Sequence, residues 1–130
     1  ATLAYLLVVF TYRRTITMSV RASHLLIKHE GSRNPTSRRT NQSTANVSRQ
    51  AAVEELTQWQ EKIKSGQISF AEAAQQRSDC SSFSRGGDLG KFGRGEMQKP
   101  FEDAAFGLEV GMMSGIVESD SGVHLILRTE

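Results

Sequence analysis

The chain has 130 residues, 38% of them apolar, with 16 Lys and Arg against 14 Asp and Glu and a single cysteine. This length fits one domain able to bury a core; one cysteine excludes an intramolecular disulfide and a cysteine-only zinc site, and fits a reducing compartment. The net charge of +2 names no partner, but residues 1–49 hold eight bases and one acid while residues 50–130 hold eight bases and thirteen acids, so the basic half has a local task or faces the acidic half.

The apolar run Leu3 to Phe10 is far short of the roughly 20 residues that span a bilayer. Arg13 and Arg14 follow it, whereas a secretory signal places its charge first. Residues 1–19 are expected to be a leader or flexible extension, with a short extra strand or a targeting peptide as alternatives, and residues 20–130 the domain. Val20 to His29 reads as a strand with apolar residues on both faces: Val20, Ala22, His24, Leu26 and Lys28 on one, Ser23, Leu25 and Ile27 on the other. Glu30 to Asn46 has no large apolar residue and reads as a long mobile loop, disordered without ligand. Ser48 is placed to cap a helix through Ala52, Val53, Leu56, Trp59 and Ile63, ended by Gly66. Ser69 with Glu72 opens a second helix that turns Phe70, Ala73 and Ala74 inward.

Ser78 to Lys99 is rich in glycine, with a short strand expected over Asp88 to Phe92. Pro100 suits the first turn of a third helix reaching about Leu108. Ile116 to Glu118 and Val123 to Arg128 form the closing hairpin around Ser119 to Gly122; Val123, Leu125 and Leu127 share one face, His124 and Ile126 the other. This order indicates an α+β sandwich with one sheet.

Several residues carry chemistry. Gly90-Lys91 is followed by Phe92, so the Ser/Thr of a phosphate-binding P-loop is missing. Cys80 sits in Asp79-Cys80-Ser81-Ser82 without apolar neighbours, which favours an exposed, site-facing thiol over an inert core cysteine. His24 and His124 interrupt strands that can pair; neutral imidazoles there can hydrogen-bond each other and nearby hydroxyls. His29, at the strand end, is expected to be exposed. Leu89, Met97 and Phe101 flank the glycine-rich stretch as a candidate pocket wall. Lys28, Arg33, Arg38 and Arg39 form either a solvated basic loop or an anion clamp. No aromatic is interleaved with these bases, which disfavours nucleic acid.

Together SHLLIKH, SDCSS, GGDLGKFGRGEMQKPFEDAAF and DSGVHLILRTE resemble the parvulin family, in its branch specific for phospho-Ser/Thr-Pro, over roughly Val20 to Glu130 and without a WW module. The resemblance implies an FKBP-like superfold with a four-stranded antiparallel sheet surrounded by about four helices. It implies a peptidyl-prolyl cis/trans isomerase working without metal or organic cofactor. Cys80, His24, His124 and Ser119 are then the catalytic set, and Leu89, Met97 and Phe101 the proline pocket. Gln98 and Ser121 meet the substrate backbone. Lys28 and Arg33 hold the phosphate, with Arg38 and Arg39 as further candidates. Where the branch often has two adjacent arginines, Arg33 is followed by Asn34; position 119 is Ser where Thr is also seen. The implied partners are phosphorylated Ser/Thr-Pro proteins or peptides, with no nucleic acid and no membrane. The expected state is a monomer, in cytoplasm and nucleus. The mechanism expected is non-covalent stabilisation of a twisted amide, with Cys80 attack on the carbonyl as the sharper variant. The competing classes are a phosphopeptide-binding or chaperone-like module with little turnover, and a thiol hydrolase using Cys80.

Overall fold

A computed structural model describes residues 19–130; of the leader expected over residues 1–19 only Ser19 is described, and it begins a strand. Four strands, β1 (Ser19–Ile27), β2 (Asp88–Gly93), β3 (Val117–Ser119) and β4 (Gly122–Arg128), form one antiparallel sheet in the order β2-β1-β4-β3. Three α-helices surround it: α1 (Arg49–Lys64), α2 (Phe70–Arg77) and α3 (Lys99–Gly107). Where about four helices were expected, the fourth helical segment among the described residues is a five-residue 3₁₀ turn, Ser81–Arg85, stopped by Gly86 at φ +65°. Its three serines favour local turns over a longer helix.

The elements form for local reasons. Ser48 Oγ accepts from the backbone of Ala51, and Ser69 Oγ from that of Glu72, capping α1 and α2. Lys62 and Lys64 lie in the last turn of α1, at the negative end of its dipole. Strands β1 and β4 are the inner pair, so both their faces are covered. Leu25, Ile27, Val123 and Leu125 pack on Ala52, Leu56, Phe70 and Ala73. On the other face Val20, Ala22 and Ile126 pack on Phe92, Phe101 and Ala105.

Two expectations are corrected. Residues 30–46 are not a free loop: Thr36 and Ser43 form a β-bridge, and main-chain bonds tie Glu30 to Val47, Arg33 to Asp120 and Arg38 to Asp79. Hydroxyls take the place of an apolar core there. Ser32 Oγ accepts from His29 N, Ser37 Oγ from Arg39 N and Thr40 N, and Ser32, Ser37 and Thr44 are buried. His29, expected to be exposed, is buried, its Nδ1 accepting from the backbone of Gly31.

Candidate active site

β1 leaves β2 early: Ser23 faces Asp88, after a bulge, and no further rung forms. The vacated edge is taken by the segment before Cys80. Ser78 Oγ accepts from Leu26 N, Asp79 N donates to Leu26 O, and Asp79 Oδ2 accepts from Lys28 N at 2.9 Å. This lashing brings Cys80 alongside His24. Gly87 closes the gap: its carbonyl accepts from His24 N, its φ is +86°, and a Cβ there would stand 2.3 Å from His24 O. Only glycine fits.

The register of β1 against β4 sets the two histidines diagonally on one face, His24 opposite Ile126 and His124 opposite Leu26. Their Nδ1 atoms are 3.0 Å apart, and His124 Nε2 lies 2.7 Å from Ser119 Oγ. Phe101 meets both rings edge-on, with centroids 5.5 Å and 5.2 Å away. Burial, reinforced by the neighbouring His24, holds the His124 pKa well below the usual range and keeps it neutral. One arrangement then satisfies the chain: Ser119 O–H donates to His124 Nε2, His124 Nδ1–H donates to His24 Nδ1, and His24 Nε2–H is left as a donor.

Cys80 is half-buried rather than exposed, with a free thiol. Burial pushes its pKa up. The His24 imidazole, through a hydrogen bond, and the hydroxyl and N–H of Ser82 outweigh that and bring it down to about 6. At full hydrogen-bonding geometry, His24 Nε2 and Ser82 Oγ are buried without a partner. These are the same two groups that draw the thiol down.

Two cavities meet at this centre. One, of about 220 Å³, is lined by Leu89, Met97 and Phe101 together with His24, His124, Gln98, Ser119 and Ser121. The other, of about 410 Å³, is lined by Cys80, Ser81, Lys28, Arg33, Asn34 and Arg38. Arg33 and Ser121 border both. Lys28 Nζ donates to Thr36 O at 2.7 Å, leaving two of its protons. Burial, and then the charge of Arg38, lower its pKa. Gln98 is committed in part: its Nε2 donates to Ser121 Oγ and its Oε1 accepts from Asp120 N, clamping the β3–β4 turn. Of the sequence candidates, Arg39 alone lines neither cavity. Among the described residues no cluster of His, Cys, Asp or Glu could hold a metal ion.

Sequence reasoning missed Ser78, Asp79, Ser82 and Glu102. The first three read as polar surroundings of an exposed thiol, yet all are buried. Glu102, buried in α3, accepts from Gly95 N and from Arg94, fixing the loop that carries Met97. Its only signal was a carboxylate two residues after Pro100.

Residues 24–130 match the family model described as rotamase, PPIC-type PPIASE domain. The chain is 54% identical over 112 residues to the peptidyl-prolyl cis-trans isomerase Pin1 of Arabidopsis thaliana, covering 85% of this chain and 94% of that relative. It is 55% identical over 113 residues to the isomerase ESS1 of Saccharomyces cerevisiae, covering 84% of this chain and 64% of that one. The solution structure of TbPIN1 superposes with a TM-score of 0.81 at 55% identity, over 88% of this chain and all of that one. The isomerase ESS1 of Candida albicans superposes with a TM-score of 0.84 at 46% identity, over 88% and 64% of the two chains.

Proposed function

This chain belongs to the PPIC-type peptidyl-prolyl cis/trans isomerases, and from that premise we propose that it prefers phosphoSer-Pro and phosphoThr-Pro bonds and turns them without forming a covalent bond. The observation that carries the reading is a pair of adjoining cavities that share Arg33 and Ser121, an apolar one over His24 and His124 and a cationic one that Cys80 lines. Leu89, Met97 and Phe101 hold the pyrrolidine ring. Lys28 and Arg33 hold the phosphate of the preceding residue, and the carbonyl of the intervening amide turns beside Cys80.

Isomerisation faces a barrier of about 20 kcal/mol, the loss of amide resonance on twisting. The planar amide carries negative charge on oxygen and positive charge on nitrogen; the twisted amide gives up that separation. A thiolate beside the carbonyl therefore disfavours the planar forms more than the twisted one, and that difference is catalysis. His24, His124 and Ser119 keep the sulfur anionic and positioned. The remaining N–H of Gln98 and the hydroxyl of Ser121 are placed for the substrate chain. The proposed partners are phosphorylated Ser/Thr-Pro segments met by a monomer, in the cytoplasm and nucleus, where a lone free thiol stays reduced.

The test is exchange NMR on matched peptides carrying phosphoSer-Pro, Glu-Pro or Ala-Pro. The expected order of kcat/KM follows the charge before proline, with phosphoSer-Pro exceeding Ala-Pro by at least about tenfold, the scale of one charge-assisted hydrogen bond. Equal rates for the three peptides remove the phosphate clamp.

A further inference from the structure

Position 34 offers an amide where a second arginine was expected, yet the cavity beside Cys80 is lined by three cations. We propose that Arg38 is the missing guanidinium, so that Lys28, Arg33 and Arg38 form a three-armed seat for phosphate from which Arg39 is excluded. This assignment rests on the phospho-specific reading above and names the residue that sets its strength.

Two of the arms are fixed to the residue before Cys80. Asp79 O accepts from Arg38 N at 2.8 Å, and Asp79 Oδ2 accepts from Lys28 N at 2.9 Å. Asp79 is itself held: its Oδ1 accepts from Arg77 at 3.0 Å, and Arg77 is braced from α1 by both carboxylate oxygens of Glu55. The third arm is fixed to the other side of the site, Arg33 N donating to Asp120 O at 2.7 Å in the β3–β4 turn. The seat therefore straddles Cys80, its main chain placed before any ligand arrives.

Charge points the same way. Among the described residues, none of the three side chains makes an ion pair with a carboxylate, whereas Arg21, Arg49, Arg77 and Arg94 all do. The Asp79 carboxylate is engaged by Arg77 and Lys28 N. Cations facing one cavity repel one another, and Lys28 feels Arg38 more strongly than Arg33, an effect that Asp79 and Cys80 offset in part. A dianion relieves that repulsion. A phosphate offers three oxygens to three arms where a carboxylate offers two, so Arg38 separates phosphoserine from glutamate as well as from alanine. Arg39 is differently placed. Its Nε is buried without a partner and its N–H is taken by Ser37 Oγ.

The experiment compares Arg38→Gln, Arg39→Gln and Arg33→Gln with the wild type by two readouts. One is the ratio of kcat/KM for phosphoSer-Pro over Ala-Pro and over Glu-Pro. The other is the affinity for inorganic phosphate, followed by amide shifts of Cys80 and Ser82. Arg38→Gln is expected to lower both ratios about tenfold and to weaken phosphate binding similarly, and Arg39→Gln to change each by less than about twofold. If Arg33→Gln erases the preference while Arg38→Gln keeps it, or if Arg39→Gln causes the loss, the Arg38 assignment is overturned and the clamp stands. If the wild type shows no preference for phosphate, the clamp itself is overturned and Arg38 with it.

Discussion

The sheet has two faces made from the same two strands, and a single residue step separates them. On the α1/α2 face, Leu25 pairs directly with Leu125, between Ala52, Leu56 and Phe70. On the α3 face, the residues one step earlier, His24 and His124, meet diagonally beneath Cys80. Both faces are closely buried. The first is held mainly by apolar packing, with the Arg77–Glu55 pair joining its two helices, and such packing is forgiving of chemistry but not of volume. The second holds four polar groups, Ser119, His124, His24 and Cys80, of which the first three are linked by hydrogen bonds that make their burial tolerable. The catalytic face is thus a core face in which hydrogen bonds replace part of the packing.

If the faces are separable, damage to the first costs stability and leaves chemistry alone. Leu56, fully buried, is the sharpest probe. Leu56→Ala is expected to destabilise the fold by about 2–5 kcal/mol in urea unfolding. Its kcat/KM, normalised to the folded fraction, should stay within about twofold of wild type. A larger fall in the folded enzyme would show that α1 packing positions the site and that the two faces act as one.

The second face can be converted towards the first. His124→Leu strands Ser119 Oγ and His24 Nδ1, and His24→Leu strands His124 Nδ1. Each is expected to cost about 1–3 kcal/mol. The double variant removes both polar partners, so its loss should fall short of the sum by about 0.5–3 kcal/mol. Turnover should stay low in all three. Strictly additive losses would mean that the imidazoles are satisfied separately and that the pair is no unit.

The same contrast explains what could be read in advance. Strand alternation, the Ser48 and Ser69 caps and the stop at Gly66 are local, and periodicity and side-chain reach suffice for them. The diagonal histidines follow once β1 is paired with β4. Leu89, Met97 and Phe101 stand out as a pocket wall because they flank the glycine-rich stretch, whereas the role of Gln98 comes from family resemblance alone. What stayed illegible depends on partners far along the chain. Ser78 and Asp79 look like solvated polar residues until β1, 52 residues earlier, turns out to need their hydrogen bonds. Residues 30–46 look free until Val47, Asp79 and Asp120 receive their N–H groups. His29 is buried by that same closure. Ser82 and Arg38 acquire meaning only beside Cys80.

The finest test concerns the last member of the buried chain. An unfolded Cys80 thiol titrates near 9, the folded one near 6. Because the folded pKa is the lower, the thiolate's contribution to stability is complete above about pH 9 and disappears as pH falls through about 6. Catalysis should follow the folded value. With an Ala-Pro peptide, which avoids the titration of phosphate itself near pH 6, wild-type kcat/KM should rise through an inflection near 6 and then level off. Cys80→Asp keeps an anion at this position well below that pH, and so should remain active within about tenfold while losing the inflection. A carboxylate in that position is no thiol nucleophile, so its turnover also separates electrostatic twisting from attack on the carbonyl. An inactive Cys80→Asp enzyme, or a wild-type inflection near 9, would return Cys80 to the role of nucleophile or of bystander. The histidine pair would then be bracing for the sheet, and the second face a core like the first.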